Sequence, residues 1–445
     1  MHTKFEAWEL LMALFAVPLA LRVAFWHSRK LFARHADSAA TPATPATTAA
    51  PLPSTPPHLA PLRPPVLAIL GASLRLPHGA STEALATALA DHRGDADLDP
   101  ELVDAGGHPV VTARSGAAMD GALRADILAW LTENGLADLR FSDEQWRALV
   151  LATQVTAELA GQAAQLLMPA VDPSGLLRPL RLIPLLPAEW TSAQRRAAAQ
   201  WLEHTVAQAG WPASRIERAR STLPGPDEAS PAAPFGHLAH EAVLTNAPLS
   251  ALVLACASHV GGATVAQWAA DDSLFTSAQP QGRVPGEGAA GLLVLDERQA
   301  GSIGGAAIVH LDALREMRSA SSADASRQVD TALLASVIDS ALEHAGAALA
   351  DVAMVVADTG ERPRRVLELL GSVAALSRLD PGRDIARVGT ACGSCGVVSF
   401  IAALALARHH ALAREAPVLC VSNEDAYRRI AALLMPVRPQ LRSMP

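Results

Sequence analysis

Two of the four cysteines in this 445-residue chain stand three apart, in Gly389-Thr-Ala-Cys392-Gly-Ser-Cys395-Gly. Thiols at that spacing can do three kinds of chemistry. One thiolate can act as a nucleophile, the pair can supply half of a zinc site, or the two can cycle as a redox centre. A zinc site needs a second Cys or His pair at ligand spacing, and the sequence has none. Nor does a thioredoxin-type pattern surround the two cysteines. The reading adopted is therefore that small residues make a tight turn into the helix that follows Gly396. Covalent work by Cys392 is the alternative, to be tested by iodoacetamide labelling.

Two other clusters invite chemistry. His237 and His240 are at helical i, i+3 spacing, which brings them to one face of a helix, where histidines are more often packing or surface residues than a catalytic pair. Glu361-Arg-Pro-Arg-Arg365 could meet an anionic group such as a phosphopantetheine or an acidic carrier protein. A compact charge cluster is more commonly a solvated face, and it is read so here.

Half of the residues are hydrophobic, which allows a sizeable core. The net charge of −8 and the lack of a Lys/Arg stripe argue against a nucleic-acid partner. Four cysteines are too few for a disulfide framework, so reduced cytoplasmic thiols are expected. No metal or organic cofactor is expected. Leu10 to Trp26 is an apolar run at the lower length limit for spanning a bilayer, followed by Arg29, Lys30 and Arg34. Positive charge on that side predicts residues 1–34 as an apolar helix whose anchor, through 10–26, leaves the body on the cytoplasmic face. Residues 35–65, with ATPATPATTAAPLPSTPP, read as a disordered Pro/Ala/Thr tether.

The elements that must position the candidate residues follow Val66. Val66 to Leu70 reads as a first strand, and Leu180 to Leu186 as a short buried one weakened by Pro184. Ser142 with Gln145, and Thr191 with Gln194, are capping-box signals that open two helices. Ala251 to Ala257 and Gly291 to Leu295 are continuous apolar strands, and Ile303 to Leu311 is expected to pair beside the second. A helix over Arg327 to Ala345, a strand over Asp351 to Asp358, a helix over Gly396 to Ala411 and a last short strand at Val418 to Val421 complete the pattern. Apolar strands alternating with long helices predict an α/β fold whose sheet is buried on both faces.

Four segments carry a family resemblance. Val284 to Glu297, VPGEGAAGLLVLDE, resembles the GEGA-type segment of the β-ketoacyl (3-oxoacyl-ACP) synthases. LVLACASHVGGA upstream resembles their strand and "AGG" turn. ALADVAMVVADTG resembles the strand leading to their first catalytic histidine, and ARVGTACGSCGVVSFIAALALA the loop and helix that carry the second. The four segments occur in the family's order at nearly its spacing, and the resemblance covers about Val66 to Leu434 and is specific from Leu249 onward. The resemblance implies a thiolase-like five-layer α/β/α/β/α fold of two similar halves, divided here as 66–250 and 251–445, and commonly dimeric. It also implies a cysteine nucleophile and two histidines that condense acyl chains on carrier proteins.

All three catalytic positions depart from the family. The nucleophile position falls near Ser230, and Cys256 is the first cysteine in the chain. The first histidine is matched by Asp358 and the second by Thr390. A carboxylate would repel the enolate that the histidine stabilises. The expected function is that of a catalytically inactive, ketosynthase-like structural or partner subunit. It would work with an acyl carrier protein or a ketosynthase-like partner, as a homo- or heterodimer. The alternative is an active acyltransferase using Ser230, Asp358 or Cys392.

Overall fold

The structure, a computed structural model, describes residues 66–94, 96–168, 179–218, 230–245, 248–301, 303, 306–325, 328–376 and 378–437. The expected anchor at 10–26 and tether at 35–65 lie outside the described residues. Among the described residues no helix is long and apolar enough to cross a membrane.

Among the described residues twelve strands form: β1 Leu67–Arg75, β2 Asp97–Val103, β3 Pro109–Thr112, β4 Leu180–Leu185, β5 Ile216–Arg218, β6 Ser250–Ser258, β7 Glu287–Asp296, β8 Val309–Arg318, β9 Met354–Ala357, β10 Ile385–Arg387, β11 Val418–Ser422 and β12 Arg428–Pro436. β2 and β3 make a separate hairpin; the other ten share one sheet in the order β10-β9-β11-β12-β8-β1-β7-β6-β4-β5. Read outward from its centre, that order is a repeat. β1-β7-β6-β4-β5 on one side matches β8-β12-β11-β9-β10 on the other, with two antiparallel pairings followed by two parallel ones in each. The two sets join through β1 and β8, which pair over Leu67 to Ile69. The strand repeat changes over between Asp296 and Val309.

The period-2 alternation of each strand sends its residues to different helix layers. In β6, Leu252, Leu254 and Cys256 face the long helices Asp143–Leu167 and Ser192–Gln208, while Ala251, Val253 and Ala255 face the other way, toward Ala233–Thr245 and Val398–Arg414. In β11, Val418 and Cys420 join that same inner cluster, and Leu419 and Val421 pack on the helices Ala332–Ala345 and Pro363–Val373. The inner helix at 398–414 is buried almost all round, as a helix between two sheet faces must be. Its many alanines let those faces approach.

Both capping boxes are present. Ser142 Oγ accepts from the Gln145 N–H at 3.2 Å and Gln145 Oε1 from the Ser142 N–H at 2.9 Å, and Thr191 with Gln194 repeats the pattern. Pro184 is tolerated in β4 because, among the described residues, β5 pairs only as far as Leu182 and the pairing beyond it is with β6. The strand expected over 303–311 forms later, at Val309–Arg318, and its neighbours are β1 and β12, since β1 and β6 already occupy both edges of β7. Val418–Ser422 is not the last strand. Arg428–Pro436 follows it, a nine-residue strand whose Leu- and Ala-rich run gives no period-2 signal because both its faces are buried.

A candidate site in a cavity at the strand ends

β9 and β11 are parallel neighbours, and the loops after their C-terminal ends form one wall of a cavity of about 730 Å³. Crevices at the carboxyl ends of parallel strands are the usual ligand positions of α/β folds. Pro231, His259, Asp358, Thr390, Cys395 and Phe400 are among the residues lining this one. Two of the three sequence-predicted positions, Asp358 and Thr390, therefore face the same space, and the third, Ser230, adjoins it through Pro231.

Asp358 follows β9 and is buried. Its carboxylate accepts from Ser422 Oγ at 2.5 Å, from the Asn423 N–H at 2.9 Å and from the Glu424 N–H at 3.4 Å. Burial, followed by the Glu424 charge, raises its pKa to about 7, and those three donors only partly oppose the rise. The group is thus tied into the loop after β11 and holds its proton more tightly than an ordinary aspartate.

Thr390 lies on the short helical turn Val388–Cys392, and its Oγ1 donates to the Arg387 carbonyl at 2.8 Å. Its neighbour Gly389 touches the Asp358 strand end so closely that a Cβ there would sit 2.3 Å from the Asp358 carbonyl oxygen. Ser230 precedes the helix at 233–245. Its Oγ accepts from the Ala232 N–H at 3.0 Å and is in contact with the Glu316 carboxylate on β8. His237 and His240 are exposed on that helix and do not line the cavity.

The two cysteines are fully buried. Contact with the Cys395 thiol, then burial, then the Asp358 and Glu424 charges push the Cys392 thiol well above its ordinary pKa. A thiol so placed is a poor nucleophile, which argues against covalent work by Cys392.

The charge cluster after Asp358 differs from its expected solvated state. Arg365 is buried and Arg362 nearly so. Arg362 holds Glu424 through Nη2 at 2.6 Å and Nε at 3.0 Å, and reaches Asp324 at 3.1 Å. Arg365 bonds Asp324 at 2.7 Å, and Glu368, one turn along, takes two bonds from Arg429 at 2.5 and 3.0 Å. Positions 365, 368, 369 and 372 form the inner stripe of the helix 363–373, so the helical period draws part of the cluster inward. Of its charged side chains only Glu361 is exposed, with Arg387 at 3.6 Å.

Sequence reasoning missed two residues. His259, just past β6, lines the cavity, with Nδ1 2.6 Å from the Ser394 carbonyl and its ring 5.2 Å from that of Trp268. Its position directly after an apolar strand was the available signal. Glu287, the acid of the GEGA segment, is fully buried and bound to Arg147 Nε at 2.8 Å and Nη2, to the Ser115 N–H at 2.7 Å and to Ser258 Oγ at 2.9 Å. It pins β7 to β6 and to the 143–167 helix. The preceding Gly286 leaves no room for a side chain, because a Cβ would lie 1.9 Å from the Cys392 carbonyl oxygen. Among the described residues no group of three or more His, Cys, Asp or Glu side chains stands close enough to hold a metal ion.

No protein-family model matches the chain, and no curated protein matches it. Solved structures do. The ishigamide ketosynthase/chain length factor is 14% identical over 84% of this chain and 100% of its own, with a TM-score of 0.53. The type II ketosynthase AntDE, solved with its acyl-carrier protein AntF, is 13% identical over 84% and 100%, with a TM-score of 0.57. A ketosynthase domain of the oxazolomycin synthase of Streptomyces albus JA3453 is 14% identical over 84% and 76%, with a TM-score of 0.56. At these identities the likeness is one of fold. The chain has the thiolase-like fold of the β-ketoacyl synthases, and the repeated strand order is its internal record.

Proposed function

We propose that this chain is a ketosynthase-like subunit that does not itself condense acyl groups. It serves as the structural partner of a condensing ketosynthase or an acyl carrier protein, within a homo- or heterodimer. The observation that carries this reading is the state of the three catalytic counterparts beside an open cavity. Ser230 stands where the family resemblance expects a thiol, Asp358 is tied by Ser422 and the 423–424 backbone, and Thr390 bonds its own turn. Condensation needs a polarised sulfur and donors aimed at the enolate oxygen, and these groups supply neither. The ketosynthase/chain length factor and the ketosynthase–carrier complex among the structural neighbours are compatible with a partner role.

Incubation of the purified protein with radiolabelled acyl-carrier protein or acyl-CoA tests the proposal. No stable acyl label is expected on the protein. A partner-dependent phenotype should be lost in Gly286→Trp and kept in Ser230→Ala. Stable acylation that disappears in Ser230→Ala would establish the second reading, an acyltransferase with altered chemistry, which the contact between the Ser230 hydroxyl and the Glu316 carboxylate favours. The apolar run at 10–26 would tether the body to the inner face of the membrane. Fractionation of the full chain against a form lacking residues 1–65 tests the tether.

A further inference from the structure

We propose that the helix 363–373 is a docking surface for a second copy of this chain, laid antiparallel against the same helix. Its outward face is apolar. Pro363, Leu367, Leu370 and Ala374 stand at i, i+4, i+7 and i+11, on one side of the helix, and all four are exposed. Leu367 is 58% exposed and Leu370 37%. The usual order is reversed on the opposite side, where Arg365 and Glu368 are buried. Those charges keep the helix from turning its leucines inward. Arg365 is held by Asp324 at 2.7 Å, and Glu368 by Arg429 at 2.5 and 3.0 Å. A roll about the helix axis would strip these buried charges of their partners.

The occupant follows from the shape and the charge of this face. Exposed Gly371 and Ala375 lie beside the leucines, so a ridge of large side chains is bordered by small ones. A helix of the same sequence, run the opposite way, sets Leu367 of one copy against Leu370 of the other. Pro363 then meets Ala374, and each ridge has a shallow groove to enter. Charge fixes the direction. Glu361 is exposed before the helix and Arg378 after it, and among the described residues no charged side chain stands on the apolar face between them. Antiparallel copies bring Glu361 toward Arg378 at both ends, whereas parallel copies oppose like charges. The contact has two-fold symmetry and closes on itself. One short helix buries little area, so the association is weak. The inference adds a surface to the dimer of the proposed function and rests on that reading only in taking the chain to associate with itself.

The test uses the full-length protein with one added surface cysteine and a short bis-maleimide as the probe. The four native cysteines are buried, so the added thiol is the one that reacts. Leu367→Cys should give a covalent dimer. Leu128→Cys, exposed on the helix Gly121–Glu133, should give little at the same protein concentration. In the Leu367→Cys background, Glu361→Arg or Arg378→Glu should each lower the yield about fivefold. The two together should restore it, because a self-contact draws both charges of each pair from one sequence. The proposal is overturned if Leu367→Cys links no better than Leu128→Cys, as it would with a partner of different sequence on this face. It is also overturned if neither charge change lowers the yield, or if the double change stays as low as the single ones. Leu370→Cys reports the same contact where Leu367→Cys does not fold. The radiolabelled acyl assay scores the absence of condensation separately, so either reading can fail while the other stands.

Discussion

Replacing Asp358 by Asn should change how stability depends on pH, in a direction fixed by the site. An aspartate titrates near 3.8 in its ordinary state and at about 7 here. Between those values the folded protein keeps a proton that the unfolded chain has released. The unfolding free energy therefore falls as pH rises through this window. Asp358 contributes its full stabilisation below about pH 4 and has lost it above about pH 7. Roughly three pH units at about 1.36 kcal/mol each come to about 4 kcal/mol. Asn has the same shape, cannot ionise, and can still accept the Asn423 N–H. Urea unfolding of both proteins from pH 4 to pH 8 gives the measurement. Subtracting one curve from the other cancels groups such as Asp99, which burial would raise but Arg114 and Thr112 hold at about 2. The wild-type advantage over Asp358→Asn should shrink by about 4 kcal/mol across the range. A flat difference, or one that grows with pH, would show that Ser422 and the 423–424 amides outweigh burial and keep the carboxylate ionised, and the reasoning would fall.

Glu424→Gln removes the second cause of that shift and should move the Asp358 window to lower pH, read from the same pair of curves. Glu287→Ala leaves Arg147 buried without its partner and should cost about 3–5 kcal/mol in urea unfolding. Gly389→Ala forces a Cβ against the Asp358 carbonyl and should lower the urea midpoint while leaving the slope unchanged. Arg408→Met strips the donors from the Ile69, Leu70 and Ala307 carbonyls at the β1 bulge and should lower stability by about 1–3 kcal/mol. An unchanged midpoint in any of these would mean that water replaces the lost contact.

The sequence by itself determined most of the elements, because their causes are local. Ser142 with Gln145 and Thr191 with Gln194 cap their own helices, and a run such as Ala251 to Ala257 can be little other than a buried strand. In it, Asp358 and Thr390 were singled out by counting past a recognisable strand and turn, and both line the cavity. What it could not reach were relations between distant residues. The GEGA glutamate is a pin only because Arg147, Ser115 and Ser258 converge on it from 140, 172 and 29 residues away. The charge at 361–365 divides into buried and exposed groups because Asp324, Glu424 and Arg429 meet one face of its helix. The insertion of β1 between β7 and β8, which joins the two strand sets, follows from pairing across the chain. Local patterning fixes which face of an element is apolar, whereas long-range packing decides what that face meets, and the ionisation of a group such as Asp358 depends on the latter.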